Sequence, residues 1–106
     1  MTHISKLIKT ALLSKDKVHI TVTSESIFGT DAAIPVTAWI IINDRFSFLT
    51  QEAPTDEQQE QEGIVTVTVE DLDSDHTTID GNSVTTVDEE SNEVILRFFT
   101  MQPLRL

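Results

Sequence analysis

Residues 36–48, VTAWIIINDRFSF, decide how this chain folds. Val36, Ala38, Ile40 and Ile42 alternate with Thr37, Trp39 and Ile41, so both alternating sets are apolar, as in a central strand covered on two sides. Asn43 and Asp44 supply a turn, and Phe46 and Phe48 flank Ser47 in the return strand of a hairpin. A hairpin with this much apolar surface needs partners on more than one face.

Upstream, Ile4, Leu7, Ile8, Ala11 and Leu12 recur at i, i+3, i+4, i+7 and i+8, which puts them on one stripe of an α-helix with Thr2 as its expected N-cap. The period then changes: Val18, Ile20 and Val22 alternate with His19, Thr21 and Thr23, the pattern of a half-buried strand. Residues 24–34, with Gly29 and Asp31, read as a loop.

Downstream, residues 51–63, QEAPTDEQQEQEG, hold no large apolar residue, and the reading is a mobile acidic loop, either a linker or one or two exposed helical turns capped by Thr55. Strands are expected over 64–69, where Val65, Val67 and Val69 share a face, and over 83–87 and 94–99, separated by turns at 80–82 and 88–92. Pro103 ends any strand. The sum is one α+β domain over 1–106: an N-terminal helix, then a five- or six-stranded, mainly antiparallel sheet.

That inventory carries a packing conflict. A helix of about 12 residues is roughly 18 Å long, whereas five strands make a sheet about 19–24 Å wide, so one helix leaves apolar surface over. Curling into a half-barrel, or pairing with a second copy, would resolve it; a homodimer burying part of 36–42 or the Phe98–Phe99 region is the expectation. Trp39, Phe46, Phe48, Phe98 and Phe99 are read as core.

Composition excludes several classes. Cysteine is absent, so disulfide frameworks, thiolate metal sites and cysteine nucleophiles are ruled out. No run approaches the roughly 18 apolar residues of a membrane span, and the first 15 residues lack the apolar core of a signal peptide, so a cytoplasmic setting is expected.

Charge is the strongest functional signal. The chain has 7 Lys+Arg against 18 Asp+Glu, a net charge of −11. Its positive charge is concentrated near the N-terminus in Lys6, Lys9, Lys15 and Lys17. Between Phe46 and Leu96 there is no Lys or Arg, and fourteen acids fall there: Glu52, Asp56, Glu57, Glu60, Glu62, Glu70, Asp71, Asp73, Asp75, Asp80, Asp88, Glu89, Glu90 and Glu93. Duplex DNA carries one charge per roughly 1.7 Å of axis, so this window matches about 24 Å of duplex if the acids share a face.

Other chemistries fare poorly. Asp71, Asp73 and Asp75 have the spacing that opens a calcium loop, but His76 stands where such a loop needs glycine and Asn82 where it needs a bidentate glutamate. His3, His19 and His76 fall in no metal-ligand spacing, and no nucleophile elbow or glycine-rich phosphate loop is present. No enzymatic activity, metal or cofactor is therefore expected. Direct nucleic-acid binding is disfavoured because backbone contacts need a basic patch, and only the N-terminal helix offers one.

The expected function is a non-enzymatic acidic binding protein that occupies the basic groove of a nucleic-acid-binding protein. Glu57, Glu60, Glu62, Glu70, Asp71, Asp73, Asp75, Asp88, Glu89 and Glu90 would stand in for phosphates. In size, element order and acidic turns the chain resembles, as a type, the small phage-encoded inhibitors that mimic DNA; the resemblance is one of composition, without an aligned motif, and would imply the host cytoplasm. The competing reading is a structural or assembly subunit whose acidic surface serves only solubility.

Overall fold

The computed structural model describes residues 3–13, 19–51 and 62–99. The N-terminal stripe forms α1 (Ile4–Leu12), which buries Ile8, Ala11 and Leu12 while Lys6 and Lys9 stay exposed. Its N-cap is His3, which makes no side-chain cap; Thr2 and the 52–61 part of the acidic segment lie outside the described residues.

Seven strands follow, not five or six: β1 (His19–Thr23), β2 (Ile34–Ile42), β3 (Arg45–Gln51), β4 (Glu62–Thr68), β5 (Thr78–Asp80), β6 (Ser83–Val87) and β7 (Glu93–Phe99). The strand missing from the sequence reading is the three-residue β5, too short to show alternation. All pairings are antiparallel, in the order β4-β3-β2-β1-β7-β6-β5. The sheet curls into a half-barrel, the first of the two solutions to the packing conflict.

Two one-turn helices interrupt the strands. The 24–34 segment contains α2 (Glu25–Phe28): Ser24 Oγ accepts the Ile27 N–H, and Gly29 ends the turn at φ +71°, a left-handed conformation that glycine adopts without a Cβ penalty. The second, α3 (Val69–Leu72), begins where the valine alternation of β4 stops. Asp71 lies in this helix, Asp73 is its C-cap and Asp75 sits in the turn that follows. The strand expected over 64–69 therefore ends at Thr68, whose hydroxyl accepts the Asp71 N–H at 3.1 Å and starts a helix there.

One core unites these elements. Ile20, Val22, Phe46, Phe48, Val65, Val67, Val84, Val94, Leu96 and Phe98 line the concave face, and α1 and Leu72 of α3 pack against it. A β-bulge at Thr37, between Val36 and Ala38, changes the parity of β2. Val36 therefore pairs with buried Thr50, while Trp39 and Ile41 pair with Phe48 and Phe46 on the same inner face. The uninterrupted alternation read from the sequence put Val36 with Ala38, Ile40 and Ile42; the extra residue moves it to the other side. Phe98 is fully buried and Phe99 is exposed, so the expected core aromatic at the end of β7 is a surface residue.

Gly63 belongs to β4 and not to the acidic loop. A Cβ there would lie 2.6 Å from Thr50 Oγ1 and 3.3 Å from the ring of Phe28, and the Thr50 hydroxyl is held by donating to the Gly63 carbonyl at 3.1 Å. Gly63→Ala is thus expected to lower unfolding stability by about 1–3 kcal/mol through overpacking, measured by urea denaturation; a change within error would show that Phe28 and α2 can move aside freely.

Candidate functional site

The ten acids singled out by sequence do not behave as one group. Glu57 and Glu60 lie outside the described residues, and Glu62 opens β4, its backbone in register with Gln51.

Three acids are occupied by the fold itself. Asp73 accepts the Ser5 N–H at 2.9 Å through Oδ1 and the Ser5 hydroxyl at 2.8 Å through Oδ2, with His3 Nδ1 3.5 Å away, so it caps α1 from 68 residues downstream. Asp71 accepts the Thr68 hydroxyl at 3.1 Å. Asp88, only 8% exposed, binds the Glu90 and Asn92 N–H groups at 2.9 and 2.8 Å and the Asn92 amide at 3.2 Å, which fixes the β6–β7 turn. A carboxylate already accepting such bonds is poorly placed to present its charge as a phosphate does.

The others face outward. Glu89 pairs with Arg45 at 3.4 Å, while Glu70, Asp75 and Glu90 are exposed and make no side-chain hydrogen bond or ion pair among the described residues. Their elements are drawn together by one backbone contact: the Glu89 N–H donates to the Thr66 carbonyl at 3.0 Å. That bond closes the β6–β7 turn onto the edge of β4, three residues before α3 begins, so α3 and the turn meet at the same end of β4.

A second acidic feature escaped sequence reasoning. An open cleft of about 360 Å³ is lined by Thr23, Ser24, Glu25, Ser26, Asp31, Glu93 and Ile95. It exists because β1 pairs with β7, Thr23 opposite Ile95, and because the Ser24 hydroxyl donates to the Glu93 carbonyl at 2.6 Å. Nothing local marks it, since its acids come from segments about 60 residues apart that only sheet pairing unites. Among the described residues no group of three or more His, Asp or Glu side chains is placed to hold a metal ion.

Ser74, His76 and Asp71 also converge, but without a proton-relay geometry. His76 Nε2 meets both the Ser74 hydroxyl, at 2.9 Å, and Asp71 Oδ1, at 3.4 Å, whereas a relay needs the base and its orienting acid on opposite ring nitrogens. Ser74 Oγ also donates to the Asp71 carbonyl at 2.6 Å. No helix among the described residues is long and apolar enough to cross a membrane. Comparison with known families, curated proteins and solved structures finds no match for this chain.

Proposed function

We propose that this is a non-enzymatic acidic protein that binds the basic groove of a nucleic-acid-binding protein in the cytoplasm, in the manner of a DNA mimic. The observation that carries this reading is that Glu70, Asp75 and Glu90 are exposed and, among the described residues, unpaired, on α3, its following loop and the β6–β7 turn, elements that meet at one end of β4 and belong to a stretch of sequence free of Lys and Arg. The cleft of Glu25, Asp31 and Glu93 adds a pocket for one lysine or arginine of the partner. Asp71, Asp73 and Asp88 serve this reading indirectly, by holding the elements that carry the outward acids.

The test is capture of the partner followed by competition with duplex DNA. A partner without a basic groove, or capture that DNA does not compete, would sink the reading. Reversal of the three free acids together, Glu70→Lys, Asp75→Lys and Glu90→Lys, should weaken binding at least tenfold, mostly through slower association, and raised salt should weaken the native complex similarly. Because these are exposed sites, the melting temperature should move by no more than a few degrees. Affinity indifferent to both changes would instead favour the assembly-subunit reading.

A further inference from the structure

A second cleft, of about 170 Å³, lies where α1, the β2–β3 turn and the first residue of α3 meet. Its floor is apolar: Phe46 is 2% exposed, and Ile41 and Val69 are half-buried. Its rim is charged, with exposed Lys6 and Lys9 one helical turn apart on α1 and exposed Asp44 on the β2–β3 turn.

The walls are held by the fold. Ser5 ties α1 to the end of α3 through its two bonds to Asp73, the Val69 N–H donates to the Asp44 carbonyl at 2.8 Å, and Ile41 pairs with Phe46 across β2 and β3. The cleft is therefore formed before any ligand arrives, and binding there costs little in ordering.

Charge selects what enters. Arg45 pairs with Glu89 and Arg97 donates to the Thr23 hydroxyl, whereas Lys6 and Lys9 make no ion pair or side-chain hydrogen bond among the described residues. In a chain at −11, two ammonium groups are thus left over beside an apolar floor, with Asp44 as the one acid of the cleft to set against them. Size narrows the ligand further: an apolar cavity of roughly 150 Å³ holds one benzene ring, so a group of that size fits here.

We infer that this cleft binds a ring-sized apolar carboxylate, its ring on Phe46, Ile41 and Val69 and its carboxylate between Lys6 and Lys9. Each ammonium group is a point charge with three donors, and it can turn to meet a carboxylate without a fixed geometry. An uncharged ring would gain the floor alone. A bare anion would gain only exposed lysines, which are worth little in water. The inference does not rest on the basic-groove reading, since it uses none of the acids that reading needs.

Titration of the full chain with sodium benzoate at low salt, followed by amide NMR, should move the signals of Lys6, Lys9, Ile41 and Val69 with a dissociation constant on the order of 1 mM. Benzyl alcohol, which has the ring without the charge, and acetate, which has the charge without the ring, should each bind at least about fivefold more weakly. Lys6→Gln with Lys9→Gln should weaken benzoate at least about fivefold and leave benzyl alcohol within about twofold. Both lysines are exposed, so the melting temperature should stay within a few degrees and show that the variant folds. Benzoate that moves no signal at about 20 mM, or moves only signals outside the cleft, would overturn the inference. So would acetate or benzyl alcohol that matches benzoate, or a lysine variant that binds it unchanged. Benzylamine that binds as well as benzoate would assign the cleft to Asp44 and overturn it too.

Discussion

Phe48→Ala should be the most destabilising single truncation among the aromatic residues, at about 3–5 kcal/mol, while Phe99→Ala should cost under about 1 kcal/mol. Phe48 is fully buried in β3 between Trp39 of β2 and Val65 of β4, and its ring fills the concave side of the half-barrel. Removing it loses the transfer free energy of the ring and leaves a cavity that three paired strands cannot close around. A chain of this size has a total stability of roughly 5–15 kcal/mol, so the variant should melt on the order of 20 °C lower. Phe99 sits opposite His19 at the end of β7, is 55% exposed, and loses little contact on truncation. Urea unfolding of the two variants checks the assignment of inner and outer faces; equal losses would mean that β7 is covered on both sides.

The contrast between these phenylalanines also shows what was legible in the sequence. Alternation identified β1, β4, β6 and β7 because each runs without interruption, and a period of two allows only one assignment of faces. It misassigned Val36 because a bulge inserts one residue without leaving a local signature: Thr37, whose hydroxyl donates to the Leu49 carbonyl at 3.3 Å, looks like any other strand threonine. It also ran β4 one residue too far, since Val69 continues the valine pattern while a Thr68 cap turns the backbone into α3. Here a capping hydroxyl followed three residues later by an acid was the available signal.

The candidate site was legible in composition and much less so in arrangement. A count of acids treats every carboxylate alike, but their roles depend on partners far away in sequence. Asp88 and Asn92 could have been paired from their spacing around a turn. Nothing in EDLDSDH indicates that the middle aspartate of the three reaches Ser5, and nothing near Glu25 indicates Glu93. Both relations arise from the order of strands in the sheet.

Removal of the Asp73 carboxylate should accordingly be costly, about 2 kcal/mol for Asp73→Ala. Its carboxylate satisfies two donors at the start of α1, one of them a backbone N–H that no preceding residue of the helix can reach, and it lies at the positive end of the helix dipole. The His3 side chain provides no cap of its own, so the N-terminus of α1 depends on this distant contact. Loss of the carboxylate should detach the first turn and loosen Ile8 and Ala11 from the concave face, so α1 amides should exchange at least tenfold faster with solvent while β3 and β7 stay protected. Asp73→Asn keeps an acceptor and should recover part of the loss, whereas Asp75→Ala, in the exposed turn, should stay within about 0.5 kcal/mol. Hydrogen exchange with urea unfolding measures all three, and equal behaviour of the Asp73 and Asp75 variants would remove the capping role. The same reasoning decides how the binding surface can be probed. Joint reversal of Asp71, Asp73 and Asp75 would drive a lysine against the N-terminus of α1 and cut the bond from Thr68, so any loss of partner binding would follow from lost structure. Reversal of Glu70, Asp75 and Glu90 leaves every hydrogen bond among the described residues in place and isolates the charge.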